Sequence, residues 1–425
     1  MTTRSRSSTA RERRCRTSRP RSPCTSGRAP PDAESTLPSS WREIATSFFT
    51  LGATAYGGPA MMGVMQAEFQ EKRQWVTKPR FLEGLALVNV LPGATATQLG
   101  IFLGYARGGW WGGLLAGLSF VVPGFAIMIA LTVAYATLGV SPVLRGALYG
   151  LGPVVLGIFV VAVVRLGANA LRSLPHRLIA VGAALAVLAG PLGAVPVLLL
   201  AAGVGLFLFH SRRGGALVLA ALVAAVIVVR VVGWRPLSAS LTPGDTPTLP
   251  SVAALFAAVG AFTFGGGLSM IALMEELMVD RLAWLTPQEF IAGLALGQLT
   301  PGPVLMLAAY VGYKLLGVGG AVVAATAAFL PSFVLMLTLL PAFERIRNLA
   351  WARAVIQGIV PGVIGVMAVA LARMAPAAAP DPLALAVLLA TLVVLLVWRV
   401  APLKLMLAGA LVGLLRQRLS ALGRI

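Results

Sequence analysis

The chain has 425 residues, of which 58% are hydrophobic and 11% charged, and its net charge is +20. A mean hydropathy of +0.88 excludes a soluble domain, because a soluble core cannot bury that much apolar sequence. Apolar runs long enough to cross roughly 30 Å of hydrocarbon as helices recur from residue 44 to residue 415, whereas the alternating strands of a membrane barrel are absent from the sequence. The composition therefore predicts an all-α polytopic membrane protein.

The amino-terminal segment, residues 1–40, differs from the rest of the chain. It carries nine Arg against three acidic residues, with many Ser, Thr and Pro. Such a composition cannot form a packed core, so we expect a disordered cytoplasmic tail. We expect no nucleic-acid partner, since no aromatic residue is interleaved with the arginines. Both cysteines, Cys15 and Cys24, lie in this tail, and neither a metal nor a cofactor is expected in the membrane body.

The apolar sequence divides into two halves separated by a polar linker. We expect a first membrane repeat over 41–234, a linker rich in Pro, Ser and Thr over 235–250, and a second repeat over 251–425. Windows of about 19 residues predict about 12–13 transmembrane segments. The predicted segments are 44–66, 81–105, 109–138, 143–167, 176–190, 192–209, 215–233, 251–273, 290–313, 317–341, 354–375, 382–399 and 402–415.

The second half repeats the first at an offset of 208 or 209 residues. Residues 52–58 match residues 260–266, and Trp75-Val76-Thr77 matches Trp284-Leu285-Thr286. An odd number of predicted segments separates equivalent positions, so the second copy would cross the membrane in the opposite sense. The sequence thus predicts two homologous inverted repeats.

Each repeat contains a Pro-Gly break inside apolar sequence, the first in residues 89–98 and the second in residues 298–303. Proline lacks an amide hydrogen and frees backbone groups, which at membrane depth only protein or an aqueous cavity can satisfy. Two broken helices at corresponding positions of two repeats indicate the binding site of a secondary transporter.

Glycine-rich turns accompany the breaks, and unwound backbone there could present amide hydrogens to an anion. Close helix packing is the alternative explanation for these glycines. Polar neighbours favour a binding site at the breaks themselves. The candidate substrate-binding residues are Gly57, Gly58, Asn89, Pro92, Gly93, Thr95, Thr97, Gln98, Gly265, Gly266, Gln298, Thr300, Pro301 and Gly302.

Three charged residues complete the candidate site. Arg107 and Lys314 follow the broken helices and would attract an oxyanion at two mouths of a path, although interfacial anchoring explains such positions equally well. Glu83 lies inside a predicted segment and is the candidate for proton or cation coupling. An inside-negative potential drives a dianion outward by about 4.6 kcal/mol per 100 mV, roughly a thousandfold gradient. The scarcity of deep carboxylates therefore favours efflux, which needs no coupling ion.

Several ordered motifs are similar to those of one known family. They are Phe49-Thr50-Leu51-Gly52, Tyr56-Gly57-Gly58-Pro59, Phe81-Leu82-Glu83-Gly84, Leu91-Pro92-Gly93, Ala96-Thr97-Gln98-Leu99, Phe264-Gly265-Gly266-Gly267, Gln298-Leu299-Thr300-Pro301-Gly302-Pro303 and Leu330-Pro331-Ser332-Phe333. Through them the chain resembles the chromate transporter family in its long two-domain form, over about residues 41–375. It departs from the family pattern at Tyr56, Ala94 and Ala292. The resemblance implies chromate export across the inner membrane, chromate resistance, and sulfate as a related oxyanion.

We therefore expect a secondary transporter, not an enzyme, that exports chromate and sulfate-like divalent oxyanions across the cell inner membrane. Uptake of sulfate or another anion stays open as an alternative. An enzyme acting on lipid head groups is a weaker alternative, because no nucleophile or metal constellation is visible. The expected partners are chromate, sulfate as a competitor and the lipid bilayer, and a homodimer stays open as the assembly.

Overall fold

Every element that the structure describes is a helix, as the apolar sequence predicts. The structure is a computed structural model, and it describes residues 41–55, 58–138, 141–189, 193–232, 246–264, 267–342, 350–398 and 400–422. The predicted tail, most of the predicted linker, and the candidate residues Gly57, Gly265 and Gly266 lie outside the described residues.

The first half contains eight described helices: α1 Trp41–Thr54, α2 Gly58–Met65, α3 Lys78–Val90, α4 Thr95–Leu138, α5 Pro142–Ala170, α6 Leu174–Leu188, α7 Ala194–Phe209 and α8 Arg212–Val232. The second half contains seven: α9 Leu249–Ala261, α10 Leu268–Glu275, α11 Pro287–Leu299, α12 Leu307–Leu339, α13 Ala350–Ala378, α14 Pro382–Val397 and α15 Pro402–Leu422. Helices α2 and α10 continue as π-helical segments, Gln66–Lys72 and Glu276–Arg281.

Local sequence explains where several of these helices begin. A Ser, Thr or Asp side chain accepts a hydrogen bond from a first-turn N–H, and a proline follows in the first turn, at the starts of α3, α5, α9, α11 and α14. The capping residues are Thr77, Ser141, Thr248, Thr286 and Asp381. Because Thr248 caps α9, that helix begins inside the predicted linker.

Within the described residues, four helical stretches are long and apolar enough to cross a membrane: Thr95–Thr137, Pro142–Ala170, Val304–Leu339 and Ala350–Ala378. The shorter apolar helices are α6, α7, α9 and α14. Together these helices confirm the predicted all-α polytopic membrane protein.

Helices α4 and α12 each fold back on themselves. Gly108 and Gly109 interrupt α4 with non-helical backbone angles, and a Cβ on Gly104 would overlap the carbonyl of Gly112. Eight residues of continuous helix would separate these glycines by about 12 Å, so the two stretches are facing arms of a hairpin. The hairpin turn agrees with the predicted boundary between segments 81–105 and 109–138. Helix α12 turns in the same way at Leu316 and Gly317.

Backbone geometry recurs between the halves. The unusual positive φ angles of Gln74 and Ala283 are both 52°. Those of Gly109 and Gly317 are 61° and 64°. The order of α1 to α7 returns as α9 to α15, and α8 has no counterpart among the described helices. The inverted sense of the second copy stays a prediction.

The ends of the two halves are exchanged in the packing. Helices α6 and α7 pack on α13, whereas α14 and α15 pack on α5. Arg373 of α13 donates to the Val187 carbonyl near the end of α6, and Arg165 of α5 donates to the Leu395 carbonyl near the end of α14. Helices α4 and α12 pack against each other, and each follows one of the two breaks in the chain.

Candidate functional site

The two Pro-Gly breaks meet through reciprocal hydrogen bonds. The Gly93 N–H donates to the Thr263 carbonyl, with 2.6 Å between nitrogen and oxygen, and the Gly302 N–H donates to the Ala55 carbonyl at 2.9 Å. Ala55 follows the end of α1, and Thr263 lies just beyond the end of α9. Each break is therefore bonded to the first helix pair of the other half. The residues that follow each break are shielded from lipid, because residues 93–104 are buried, as are residues 300–312 except Val304.

A cavity of about 20 Å³ lies where the breaks meet. A volume of about 10–15 Å³ suffices for a single water, so the cavity in this conformation is closed to a larger ligand. Its lining residues come from both halves and include no charged side chain. They are Ala94, Thr95, Ala96, Thr263, Gly267, Pro303, Val304 and Leu305.

Three helix starts converge on this cavity. Thr95 begins α4, Gly267 is the residue before α10, and Val304 begins the short 3-10 turn that leads into α12. The first N–H groups of a helix have no partner within the helix and carry partial positive charge. Converging helix starts can therefore stabilise a bound anion, even though no positively charged side chain lines the cavity.

Three polar side chains of the first break are buried, and one of them, Thr95, lines the cavity. Thr95, Thr97 and Gln98 are all buried, and Gln98 Nε2 donates to the Pro92 carbonyl at 2.6 Å. Thr97 Oγ1 and Gln98 Oε1 have no hydrogen-bond partner among the described protein atoms. A buried polar atom left unpaired costs about 1–3 kcal/mol, so both atoms point to a water or ligand partner.

The first break has a hydrogen bond that the second break cannot form. The Ala94 N–H donates to Ser332 Oγ of α12 at 2.8 Å. At the equivalent positions, Pro303 has no N–H to donate and Gly124 has no hydroxyl to accept. The second break therefore lacks both the donor and the acceptor of this contact, and the site is asymmetric. Sequence analysis missed Ser332 as a site residue, because a serine after Pro331 in an apolar helix carries no signal of its partner.

Other candidate residues at the breaks have their own partners or lie apart. Thr300 is buried, and its Oγ1 donates to the Leu296 carbonyl at 2.8 Å. Asn89 is exposed near the end of α3 and donates to the Leu85 carbonyl within its own helix. Gln298 is half-buried in the last turn of α11, and Gly58 begins α2.

Arg107 belongs to a charged cluster at the far end of the first arm of α4. It lies about 18 Å from Thr95 along the helix axis at 1.5 Å per residue. Its side chain is 9% exposed, pairs with Glu43 at 3.5 Å and lies over the Trp75 ring. Arg73 joins the cluster, pairing with Glu43 at 3.2 Å. Arg107 is therefore held at the end of this arm by its neighbours and does not reach the cavity.

Lys314 and Glu83 also form ion pairs. Lys314 pairs with Glu289 at 2.7 Å, and Glu289 in turn caps α11 together with Thr286. The Glu83 side chain is 34% exposed and pairs with Arg80 at 3.1 Å. The buried carboxylate of the described chain is instead Glu275, which sequence analysis assigned to a connection between segments. Its burial depends on neighbouring helices, which hydropathy windows do not see.

No group of three or more His, Cys, Asp or Glu side chains that could hold a metal ion occurs within the described ranges. The cavity lining offers an anion backbone donors and the hydroxyl groups of Thr95 and Thr263. These groups suit the oxygen atoms of an oxyanion.

Comparison with known proteins agrees with this architecture. The chromate transporter family matches residues 42–209 and 250–414, which contain α1 to α7 and most of α9 to α15. The chain is 30% identical over 383 residues to the chromate transport protein of Cupriavidus metallidurans, covering 88% of this chain and 92% of that protein. It is 32% identical over 337 residues to the chromate transport protein of Pseudomonas aeruginosa, covering 78% of this chain and 80% of that protein.

A third relative is the probable chromate transport protein of Synechococcus elongatus, which is 31% identical over 315 residues and covered to 77%. No solved structure matches the chain. The relatives' names describe transport proteins rather than enzymes. With its apolar helices, its paired breaks and a match over both halves, this multi-pass membrane chain belongs to the chromate transporter family.

Proposed function

We propose that the protein exports chromate by binding the dianion in the cavity between the two breaks. The observation that carries the proposal is the convergence of three helix starts on a buried cavity at the first break, the break in which Thr97 Oγ1 and Gln98 Oε1 are also unpartnered. The names of the relatives supply chromate as the substrate. Partial charges and hydrogen-bond donors of this kind suit a tetrahedral dianion that must also leave again.

Binding without a formal positive charge also limits discrimination. Chromate and sulfate have the same charge and shape, and no fixed cation in the cavity lining distinguishes them. Thr97 Oγ1 can donate to either ion, and Gln98 can turn its amide to do the same. We therefore propose sulfate as a competitor at the same site.

Opening of the cavity must break the reciprocal hydrogen bonds. The described conformation leaves about 20 Å³, so a chromate ion enters only when the breaks separate. The bonds of Gly93 to Thr263 and of Gly302 to Ala55 hold the two halves closed. Each bond contributes about 0.5–1.5 kcal/mol net, which thermal motion and a bound dianion can offset. The halves would then expose the site to one side of the membrane and afterwards to the other.

Export follows from the charge of the substrate. An inside-negative potential moves a dianion outward with about 4.6 kcal/mol per 100 mV. No acidic side chain lines the cavity, so the lining offers no carboxylate to a co-transported proton. Export across the inner membrane would lower the cytoplasmic chromate concentration and confer resistance.

The test is radiolabelled chromate flux in vesicles of both orientations. Everted vesicles that hold the wild-type protein should accumulate chromate, and excess sulfate should reduce that accumulation. Thr97→Val keeps the side-chain shape but removes the unpartnered hydroxyl, and it should lower uptake about 5- to 150-fold, the loss for 1–3 kcal/mol. Thr338→Val is the matched control, since the Thr338 hydroxyl is exposed and bonds only within α12.

The outcomes separate the functions. Chromate accumulation in everted vesicles, reduced by Thr97→Val and not by Thr338→Val, supports export through this cavity. Accumulation only in right-side-out vesicles would identify an uptake transporter. Equal loss in both threonine variants would remove the cavity from the substrate path.

A further inference from the structure

Glu275 is a buried carboxyl group without a hydrogen-bond partner for one of its oxygens. It is the last residue of α10, it is 2% exposed, and its Oε2 bonds to no described protein atom. Every residue of α10 from Ser269 to Glu275 is buried. A carboxylate in such a place must find a counter-charge or take up a proton, since an isolated buried charge is far more costly than a neutral acid.

The counter-charge near Glu275 is already engaged. Arg373 of α13, the helix that packs most extensively on α10, forms an ion pair with Asp280 and donates to the Val187 carbonyl. A second cation, Arg281, ends the π-helical segment that adjoins α10. Helices α7 and α9 also pack on α10 and contain no charged residue.

The other acidic neighbour is engaged as well. Glu276 Oε2 accepts a hydrogen bond from the Ala194 N–H and caps the start of α7 at 2.6 Å. Glu276 and Asp280 therefore each have a partner, while the neighbouring Glu275 has none for its Oε2. Two neighbouring carboxylates further disfavour a negative charge on Glu275.

The first half of the chain has a neutral group at the corresponding position. Gln66 is the residue 209 positions before Glu275, the offset that also relates the positive-φ residues Gln74 and Ala283. Glutamine is the uncharged isostere of a protonated glutamate. The same fold therefore accepts an uncharged side chain at this place, and only the second half can change its charge there.

We propose that Glu275 is a proton-binding site whose occupation favours the closed conformation described here. In this conformation the carboxyl group holds a proton. When α10 moves and Glu275 reaches water or Arg373, the proton leaves to solvent and the carboxylate is paired. Proton binding and cavity closure are then linked, because each conformation binds the proton with a different affinity.

Helix α10 connects the proton site to the cavity. Gly267 lines the cavity and precedes α10, and Glu275 ends the helix about 12 Å away at 1.5 Å per residue. Residues Ser269 to Glu275 form one continuous buried helix, so a displacement of α10 at Gly267 also displaces Glu275. The inference goes beyond the proposed function, since it concerns the proton and not the transported anion.

The first test needs no transport. Dicyclohexylcarbodiimide reacts with protonated carboxyl groups in apolar surroundings. The full-length protein is labelled while folded and then digested, and mass spectrometry of the peptides locates the adduct. We expect an adduct on Glu275 that decreases from about pH 6 to about pH 9, the range in which buried glutamates can titrate. Absence of an adduct on Glu275, or an adduct independent of pH, would overturn the proposal even if chromate export is confirmed.

The second test uses transport. Chromate flux is measured over the same pH range for the wild-type protein, for Glu275→Gln, and for Glu71→Gln as the control, since Glu71 is an exposed residue of the first π-helical segment. Glu275→Gln should flatten the pH profile, whereas Glu71→Gln should keep it. A Glu275→Gln protein with the wild-type pH profile refutes the inference. If that variant fails to accumulate in the membrane, labelling of the wild-type protein decides alone.

Discussion

Alanine at Gly93 should be far more damaging than alanine at Gly302, although both glycines follow the proline of a break. Their φ angles are 126° and 108°, a region that costs a residue with a side chain about 1–3 kcal/mol. This strain is common to both substitutions. What differs is the space around the added methyl group.

A Cβ on Gly93 would overlap Ser332 Oγ and would lie 2.5 Å from Gln98 Nε2. A Cβ on Gly302 would meet only Gly124 Cα and the Gly52 carbonyl, both at an ordinary 3.7 Å. Overpacking adds about 1–3 kcal/mol at Gly93 alone. We therefore expect a loss of about 2–6 kcal/mol for Gly93→Ala and about 1–3 kcal/mol for Gly302→Ala.

The assay is thermal unfolding of the two purified variants in detergent, followed by chromate flux in vesicles. Gly93→Ala should unfold at a lower temperature than Gly302→Ala, and Ser332→Gly should restore part of the loss, since Gly124 is the equivalent of Ser332 in the first half. Equal destabilisation of both variants, or no restoration by Ser332→Gly, would refute the asymmetric packing of the two breaks.

Three further predictions concern the rest of the site. Arg107→Ala should lower chromate resistance and the amount of protein in the membrane together, since it removes the ion pair with Glu43. Loss of resistance at a normal protein level, measured by immunoblot, would instead indicate direct contact between Arg107 and the anion. Pro301→Ala should slow chromate flux because the helix can then continue through the break, and full activity would show that the break is incidental. The hydrogen bond from Arg73 holds the pKa of Glu68, which lies beyond the predicted segment 44–66, below its ordinary value. This contribution to stability is present at neutral pH and is lost as the pH falls through the lowered pKa, so Glu68→Gln should flatten the acid limb of a plot of unfolding temperature against pH.

Much of the fold could be predicted because apolar length and helix breakers are local properties. Hydropathy windows found the segments, and the Pro-Gly pairs at Pro92 and Pro301 marked where helices end. The hairpin turns at Gly109 and Gly317 also fell close to predicted boundaries. An interior position of both breaks could be predicted as well, because lipid cannot satisfy the backbone groups that proline frees.

The partners of individual side chains could not be predicted, because they depend on which helices pack together. Ser332 became a site residue only when α12 placed it against the Ala94 N–H. Glu275 lies next to a second glutamate just past the predicted segment 251–273, yet every residue of α10 from Ser269 to Glu275 is buried. Arg107 was at a predicted mouth, but sequence gave no sign that Glu43 would hold it there.

The exchange of the terminal helices makes each half incomplete alone. Helix α5 is covered by α14 and α15 from the far end of the chain, and α13 is covered by α6 and α7 from the near half. A chain cut between α8 and α9 would thus give two fragments. One would expose the surface of α5 that α14 and α15 cover, and the other the surface of α13 that α6 and α7 cover. Such fragments should survive in the membrane only when both are produced in the same cell, so that gene dosage of the two pieces would have to stay matched.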